Sequence, residues 1–225
     1  MVASENLVIF DLVGTLITPD PNVIDVYHDF GRLFDEDISR DAISSRFFRS
    51  FNAVFKESND LTSNEDLEKF QWKEVVAGVF SSKRAHFESL FEGLWQHFAK
   101  PSNWRVYADC QSSIAKIRSL GIDIAIASNF DSRIGPIVDQ LLPQFSKSSV
   151  FWSTKIGYRK PAPQFYEYIE SKLSAATNVL MIGDDPVNDL QAPIDFGWQA
   201  KLLQRGGHSP SSLRSLTELL DILEP

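Results

Sequence analysis

From residue 103 onward the chain alternates short apolar runs with amphipathic stretches, and this alternation restricts its fold more than any other feature. "IDIAIA" (122–127), "VFW" (150–152), "NVLMIG" (178–183) and "WQAKLL" (198–203) are short and rich in aliphatic residues, as buried strands are. Helical patterns lie between and after them. The stretch near 109–120 places Ile114, Ile117 and Leu120 on one side, with Gly121 as a stop signal. "SRIGPIVDQLL", "PQFYEYIESKL" and "PVNDLQAPIDFG" also read as helices, with "SLRSLTELLDIL" as the last. Strand–helix alternation of this kind predicts a parallel sheet with helices on both faces.

A first strand, 7–10, stands apart from the others by about 85 residues of a different character. From about 20 to 100 the pattern is helical and Phe-rich. Ile43, Phe47, Phe51, Val54 and Phe55 share one helical face; Phe87, Leu90, Phe91, Leu94, Trp95 and Phe98 repeat at steps of three and four. Thr62 and Glu65 have capping-box spacing. The arrangement predicts an all-α unit, 17–102, inserted after strand one into an α/β core made of 1–16 and 103–225. An insert leaving and returning there would sit over any site at that strand's end.

Charge and cysteine content narrow the setting. The formal net charge is −8 and the pI about 5.0, so nucleic acid and anionic membrane surfaces would repel the chain. Cys110 is the single cysteine and cannot form an internal disulfide. No signal peptide or membrane span is legible. The expectation is a soluble cytoplasmic protein.

In open α/β sheets, ligands bind beyond the carboxyl ends of the strands. Strand one runs into Asp11, with Gly14 and Thr15 in the turn; the run "IAIA" is followed by Ser128 and Asn129; "VLMIG" is followed by Asp184 and Asp185, with Asp189 five residues past Asp184. Lys160 lies in "YRKPAP", ahead of Pro161. Carboxylates, one amine and small hydrogen-bonding groups at one rim fit phosphoryl chemistry with a hard divalent cation, which prefers oxygen ligands. His28, His86, His97 and His208 show no ligand spacing, and "RGGHS" (205–209) reads as a loop.

The order "DLVGTL", "ASNF", "YRKPAP", "GDDPVND" resembles the haloacid dehalogenase-like hydrolase superfamily, over the whole α/β part. The resemblance implies a Rossmann-like core, with the helical insert as the family's cap. It implies that Asp11 is a nucleophile forming an aspartyl-phosphate. It implies magnesium held by Asp11, the Val13 carbonyl and Asp184, with Asp185 and Asp189 as direct or water-mediated supports. Ser128 and the Asn129 amide would hold phosphate oxygens, Lys160 would offset negative charge and steady Asp11, and Thr15 would shape the turn. The implied substrate is a small phosphorylated metabolite; the cap sets its identity, and oligomeric state is not readable.

Many phosphatases of the family carry a second Asp where this chain has Val13. Valine cannot move protons, and general acid–base help is worth about 10²–10⁴-fold. Slow turnover of ordinary phosphate esters is therefore expected. Two other readings stand beside the phosphatase. One is a dehalogenase, which needs an arginine near the departing halide, with Arg46 or Arg49 as candidates. The other is a non-catalytic phosphate- or partner-binding protein.

Overall fold

The computed structural model describes residues 6–34, 37–57, 59–81, 85–173, 178–207 and 211–223. Strand β1 (Asn6–Phe10) runs into a tight turn and β2 (Ile17–Pro19). Four helices follow: α1 (Val23–Leu33), α2 (Arg40–Phe51), α3 (Glu65–Phe80) and α4 (Phe87–His97). The chain returns through β3 (Trp104–Val106) to α5 (Cys110–Ser119), β4 (Asp123–Ser128), α6 (Ile134–Leu141) and β5 (Val150–Trp152). Then come α7 (Ser153–Ile156), α8 (Pro163–Glu170), β6 (Asn178–Gly183), α9 (Ala192–Phe196), β7 (Gln199–Leu202) and α10 (Leu216–Leu223).

Five strands form a parallel sheet in the order β5-β4-β1-β6-β7. After β1 the chain builds outward on one side through β4 and β5, then crosses to the other through β6 and β7. The strand order reverses at β1, so a crevice is expected past its carboxyl end. The unbroken apolar run of β1 follows from burial on both faces. Val8 and Phe10 pack with α5, α6 and α10, whereas Leu7 and Ile9 pack with α8 and Trp198.

The helices between β2 and β3 have their own hydrophobic cluster. Tyr27 meets Phe47 edge-on, with ring centroids 5.1 Å apart, and stacks on Phe80 at 5.9 Å. After α2 the chain makes a π-helical turn, Asn52–Lys56. The two connections pair as an antiparallel ladder, Ile17 opposite Val106 and Pro19 opposite Trp104. Three-residue strands carry no readable period, and the sequence reading missed both.

Two local expectations are corrected. The capping box of Thr62 and Glu65 does not form: Asn64 caps α3 by accepting from the Leu67 N–H, and Thr62 bonds Asp60 instead. Glu65 is turned outward to another use. The last helix begins at Leu216 rather than near 212, because Leu213 pairs with Leu203 and extends the β7 edge. Among the described residues no helix is long and apolar enough to cross a membrane.

Phe10 is fully buried and meets Phe145 edge-on at 6.3 Å. Phe10→Ala should lower the unfolding free energy in urea by about 3–5 kcal/mol. Phe48→Ala, at a ring that is 53% exposed, should change it by less than about 1 kcal/mol.

Candidate active site

Asp11 directly follows β1, its N–H bonded to the Ile182 carbonyl at 2.8 Å, so the edge of β6 fixes its start. The turn beyond it is closed by Leu16 and Ile17 N–H groups donating to the Leu12 carbonyl. Gly14 has φ +87°, a left-handed conformation that glycine adopts without strain. A Cβ there would lie 2.3 Å from an Asp184 oxygen, so this glycine also gives Asp184 its room. Gly183 does the same for Asp189, whose carboxyl carbon would lie 2.3 Å from an added Cβ.

Carboxylate oxygens of Asp11, Asp184 and Asp189 lie within 4.8 Å of one another. Lys160 is buried among them. Its Nζ donates to Asp11 Oδ1 at 2.8 Å, to Asp189 Oδ1 at 2.5 Å and to the Ala127 carbonyl at 2.9 Å. All three ammonium donors are thereby used. Asp189 Oδ2 accepts from the Asp185 N–H at 3.0 Å. Both Asp189 oxygens are thus engaged by protein. Asp11 Oδ2 has no hydrogen-bond donor among the described residues, and the Asp184 carboxylate has none beyond its own backbone N–H.

Three carboxylates against one lysine leave excess negative charge. Burial, reinforced by Asp189 and Asp184 and opposed by Lys160, raises the Asp11 pKa to about 7. Desolvation and Asp189 raise Asp184 to about 6, although its side chain opens to solvent at the mouth. Burial alone would push Lys160 down; Asp11 and Asp189 outweigh it and hold the amine above its ordinary range. An all-oxygen set with surplus charge suits a hard divalent cation. Asp184 and the Val13 carbonyl, which accepts no hydrogen bond among the described residues, are oxygens left to face one beside the Asp11 carboxylate.

The other candidates divide. The buried Ser128 hydroxyl has no partner among the described residues. Asn129 clamps the lysine loop: its Nδ2 donates to the Lys160 carbonyl at 3.0 Å, and its Oδ1 accepts from the Lys160 N–H at 2.7 Å. Thr15 is buried with its hydroxyl unpartnered, while its carbonyl accepts from Arg205 at 2.8 Å. Asp185 stands outside the three-carboxylate cluster. Its Oδ1 caps the following π-helical turn, Pro186–Gln191, and its Oδ2 pairs with Lys56. Arg46 donates to the Val79 carbonyl, and with Arg49 lines a cavity of about 570 Å³ formed wholly by the insert. No histidine joins the cluster; His208 lies outside the described residues.

Several residues that matter here carried no signal in the sequence. Arg205 ties Thr15 to Asp109 and lies 3.9 Å from the Tyr107 ring centroid, so the "RGGHS" loop begins with a brace for the Asp11 turn. Arg159, next to Lys160, is buried and donates to Glu68 at 3.0 Å and Gln71 at 2.5 Å on α3. Glu65 accepts from the Ser132 N–H at 3.0 Å and from the Thr154 hydroxyl. Arg133 stacks on Trp95 at 3.4 Å. Arg159, Glu65 and Arg133 join the insert to the core, and Arg205 joins two parts of the core, all across at least 38 positions of sequence, where no local pattern reaches.

Fold and site together define an α/β protein with a buried aspartate, Asp11, at the switch point of its parallel sheet. The chain belongs to the haloacid dehalogenase-like hydrolase family, whose model matches residues 5–197. It is 27% identical over 168 residues to haloacid dehalogenase-like hydrolase domain-containing protein 3 of Danio rerio, covering 69% of each chain. The Homo sapiens protein of that name is 24% identical over 88% of this chain and 81% of its own. Among solved structures, a HAD phosphatase from Thermococcus onnurineus superposes with a TM-score of 0.66 at 23% identity over 97% of both chains. The HAD-hydrolase YfnB from Bacillus subtilis, described as bound to magnesium, gives 0.73 at 16% identity, over 97% of this chain and 98% of its own.

A carboxyl whose folded pKa is raised binds more protons folded than unfolded. Its stabilising contribution is complete below the unfolded pKa, 3.8, and is lost as pH rises through about 7. Asp11→Asn should therefore raise the melting temperature of metal-free protein at pH 8, by several degrees, and the gain should shrink toward pH 5. Thermal melts across that range measure it.

Proposed function

We propose that this chain is a magnesium-dependent phosphatase acting on a small phosphorylated metabolite through an aspartyl-phosphate on Asp11. The observation that carries the reading is the cluster of three carboxylates within 4.8 Å around a buried lysine. Magnesium, when bound, supplies positive charge that offsets the carboxylates and the phosphoryl oxygens. Asp11 Oδ2, with no protein donor, attacks phosphorus while Oδ1 stays on Lys160, and the bond from phosphorus to the leaving oxygen breaks. Ser128 and the Asn129 N–H take phosphoryl oxygens. Asp189 and the Ala127 carbonyl hold the ammonium in place. Water then cleaves the aspartyl-phosphate and frees Asp11. The helical insert acts as the cap over this site, and the enzyme works in the cytoplasm.

Val13 neither protonates the leaving oxygen nor activates that water. Turnover should therefore depend steeply on the leaving group. The dehalogenase reading has less support. Its two candidate arginines line a cavity built only from insert residues. The acids at the mouth would also repel a haloacid carboxylate.

Purified protein should hydrolyse p-nitrophenyl phosphate with magnesium and lose that activity on adding a chelator or on Asp11→Asn. Chloride release from a 2-haloacid without metal would establish the dehalogenase instead. Phosphate binding without turnover would establish the non-catalytic reading. Val13→Asp should raise turnover of alkyl phosphates toward the 10²–10⁴-fold, roughly, that acid–base help contributes. No gain in a folded, magnesium-binding variant would remove the explanation offered for Val13.

A further inference from the structure

The insert brings a cation to the mouth of the acidic cluster. Lys56 ends the π-helical turn Asn52–Lys56, and its Nζ pairs with Asp185 Oδ2. The turn is well anchored. Phe55, the preceding residue, packs on Trp72 with centroids 5.1 Å apart, and the Arg159 guanidinium lies 4.8 Å from its ring centroid. The backbone of Lys56 is thereby fixed to the loop that carries Lys160, while its side chain extends to the residue beside Asp184. π-Helical turns of this kind concentrate at functional sites.

The pair is built to part. Asp185 Oδ1 accepts from the Val187 and Asn188 N–H groups, both at 2.9 Å, so Asp185 stays satisfied when Oδ2 is released to water. The Lys56 side chain is 42% exposed and Asp185 17%. A half-exposed Lys–Asp contact adds little stability, so tethering alone is a poor account of it. An ammonium has three donors, and this contact uses one. Within the phosphatase reading, Lys160 and the bound cation meet the phosphate. Lys56 is then left to meet whatever the phosphate is attached to.

We propose that Lys56 is a specificity-determining residue, which leaves Asp185 to bind a second anionic group, carboxylate or phosphate, on the substrate. This rests on the phosphatase reading and names its substrate class. Val13 agrees with it, since an acid there would add negative charge at the same mouth.

The test compares 2-phosphoglycolate, ethylene glycol bisphosphate and ethyl phosphate, a comparator with no second anionic group, with magnesium, on wild type, Lys56→Gln and Lys56→Arg. In wild type, kcat/KM should favour the doubly anionic esters over ethyl phosphate about tenfold, the scale of one charge-assisted hydrogen bond. Lys56→Gln should bring that ratio close to one, mainly through KM, and Lys56→Arg should keep most of it. Loss of preference for one anionic probe alone identifies carboxylate or phosphate as the recognised group. A wild type without preference, or one whose preference survives Lys56→Gln, overturns the proposal. A purely tethering Lys56 would lower the melting temperature and leave the ratio unmoved. If no probe is hydrolysed, the phosphatase reading fails, and calorimetric binding of the same probes decides Lys56 by the same ratio. Absence of both hydrolysis and binding overturns both.

Discussion

A buried ammonium holds the site together. Lys160 joins the ends of three neighbouring strands at one atom: Asp11 beyond β1, the Ala127 carbonyl on β4, and Asp189 in the turn after β6. Removing a charge from water costs several kcal/mol, and the cost is offset only when every donor has a partner. Here each does. Losing any one acceptor outright would leave a buried ammonium donor unsatisfied, which typically costs about 1–3 kcal/mol. The strand order, the two glycines and the Asn129 clamp are arrangements that let this lysine and these carboxylates meet. Gly14 and Gly183 are as necessary as the acids, because a methyl group at either would occupy the space of a carboxylate.

The same loop carries the insert. Ser63 donates to the Gly157 carbonyl and Arg159 to the Leu61 carbonyl, both at 2.9 Å, so a backbone ladder stitches the insert to the residues before Lys160. Arg159 continues the seam into α3 through Glu68 and Gln71. Burial raises the pKa of Glu68 against the pull of Arg159, the mark of an ion pair largely removed from water. A shift of the insert would therefore act first on the loop that positions Lys160. On the proposed reading, substrate recognition above the site and charge balance within it share one mechanical connection.

The alternation of strands and helices was legible in the longer elements because they show their period, in β1 and β6 because burial on both faces leaves runs of apolar residues, and in three-residue β5 from its apolar run alone. Asp11, Ser128, Lys160 and Asp184 were legible as candidates because each stands at or just past an apolar run or against a proline, and Asp189 because it shares one short acidic turn with Asp184. The sequence could not distinguish Asp185 from its neighbours. Its cap of the following turn is local, ahead of Pro186, but its pairing with Lys56 depends on the insert's position. Thr62 and Glu65 have the spacing of a capping box, yet Asn64 sits closer to the helix start and takes the role. Glu65, with no capping duty, serves Ser132 and Thr154. Arg205 and Arg159 were hidden for a simpler reason, since a guanidinium reaching a distant carbonyl or carboxylate leaves no mark on its own neighbourhood.

Position 13 gains meaning from charge as well as proton transfer. Around the mouth, Asp11, Asp184, Asp185 and Asp189 face Lys160 and Lys56, an excess of two negative charges. One divalent cation balances that excess, so a phosphate dianion would enter a mouth close to neutral. An aspartate in place of Val13 would restore repulsion where the ester oxygen must sit, and its use as an acid would have to outweigh this. For an ester whose alkyl part carries no charge the acid is worth more, because the leaving alkoxide is very basic. For a substrate already carrying a second anion, each added negative charge weakens binding in a low-dielectric site. On the proposed reading, valine at 13 and lysine at 56 shift the same balance in the same direction, giving up proton transfer for tolerance of a more highly charged substrate.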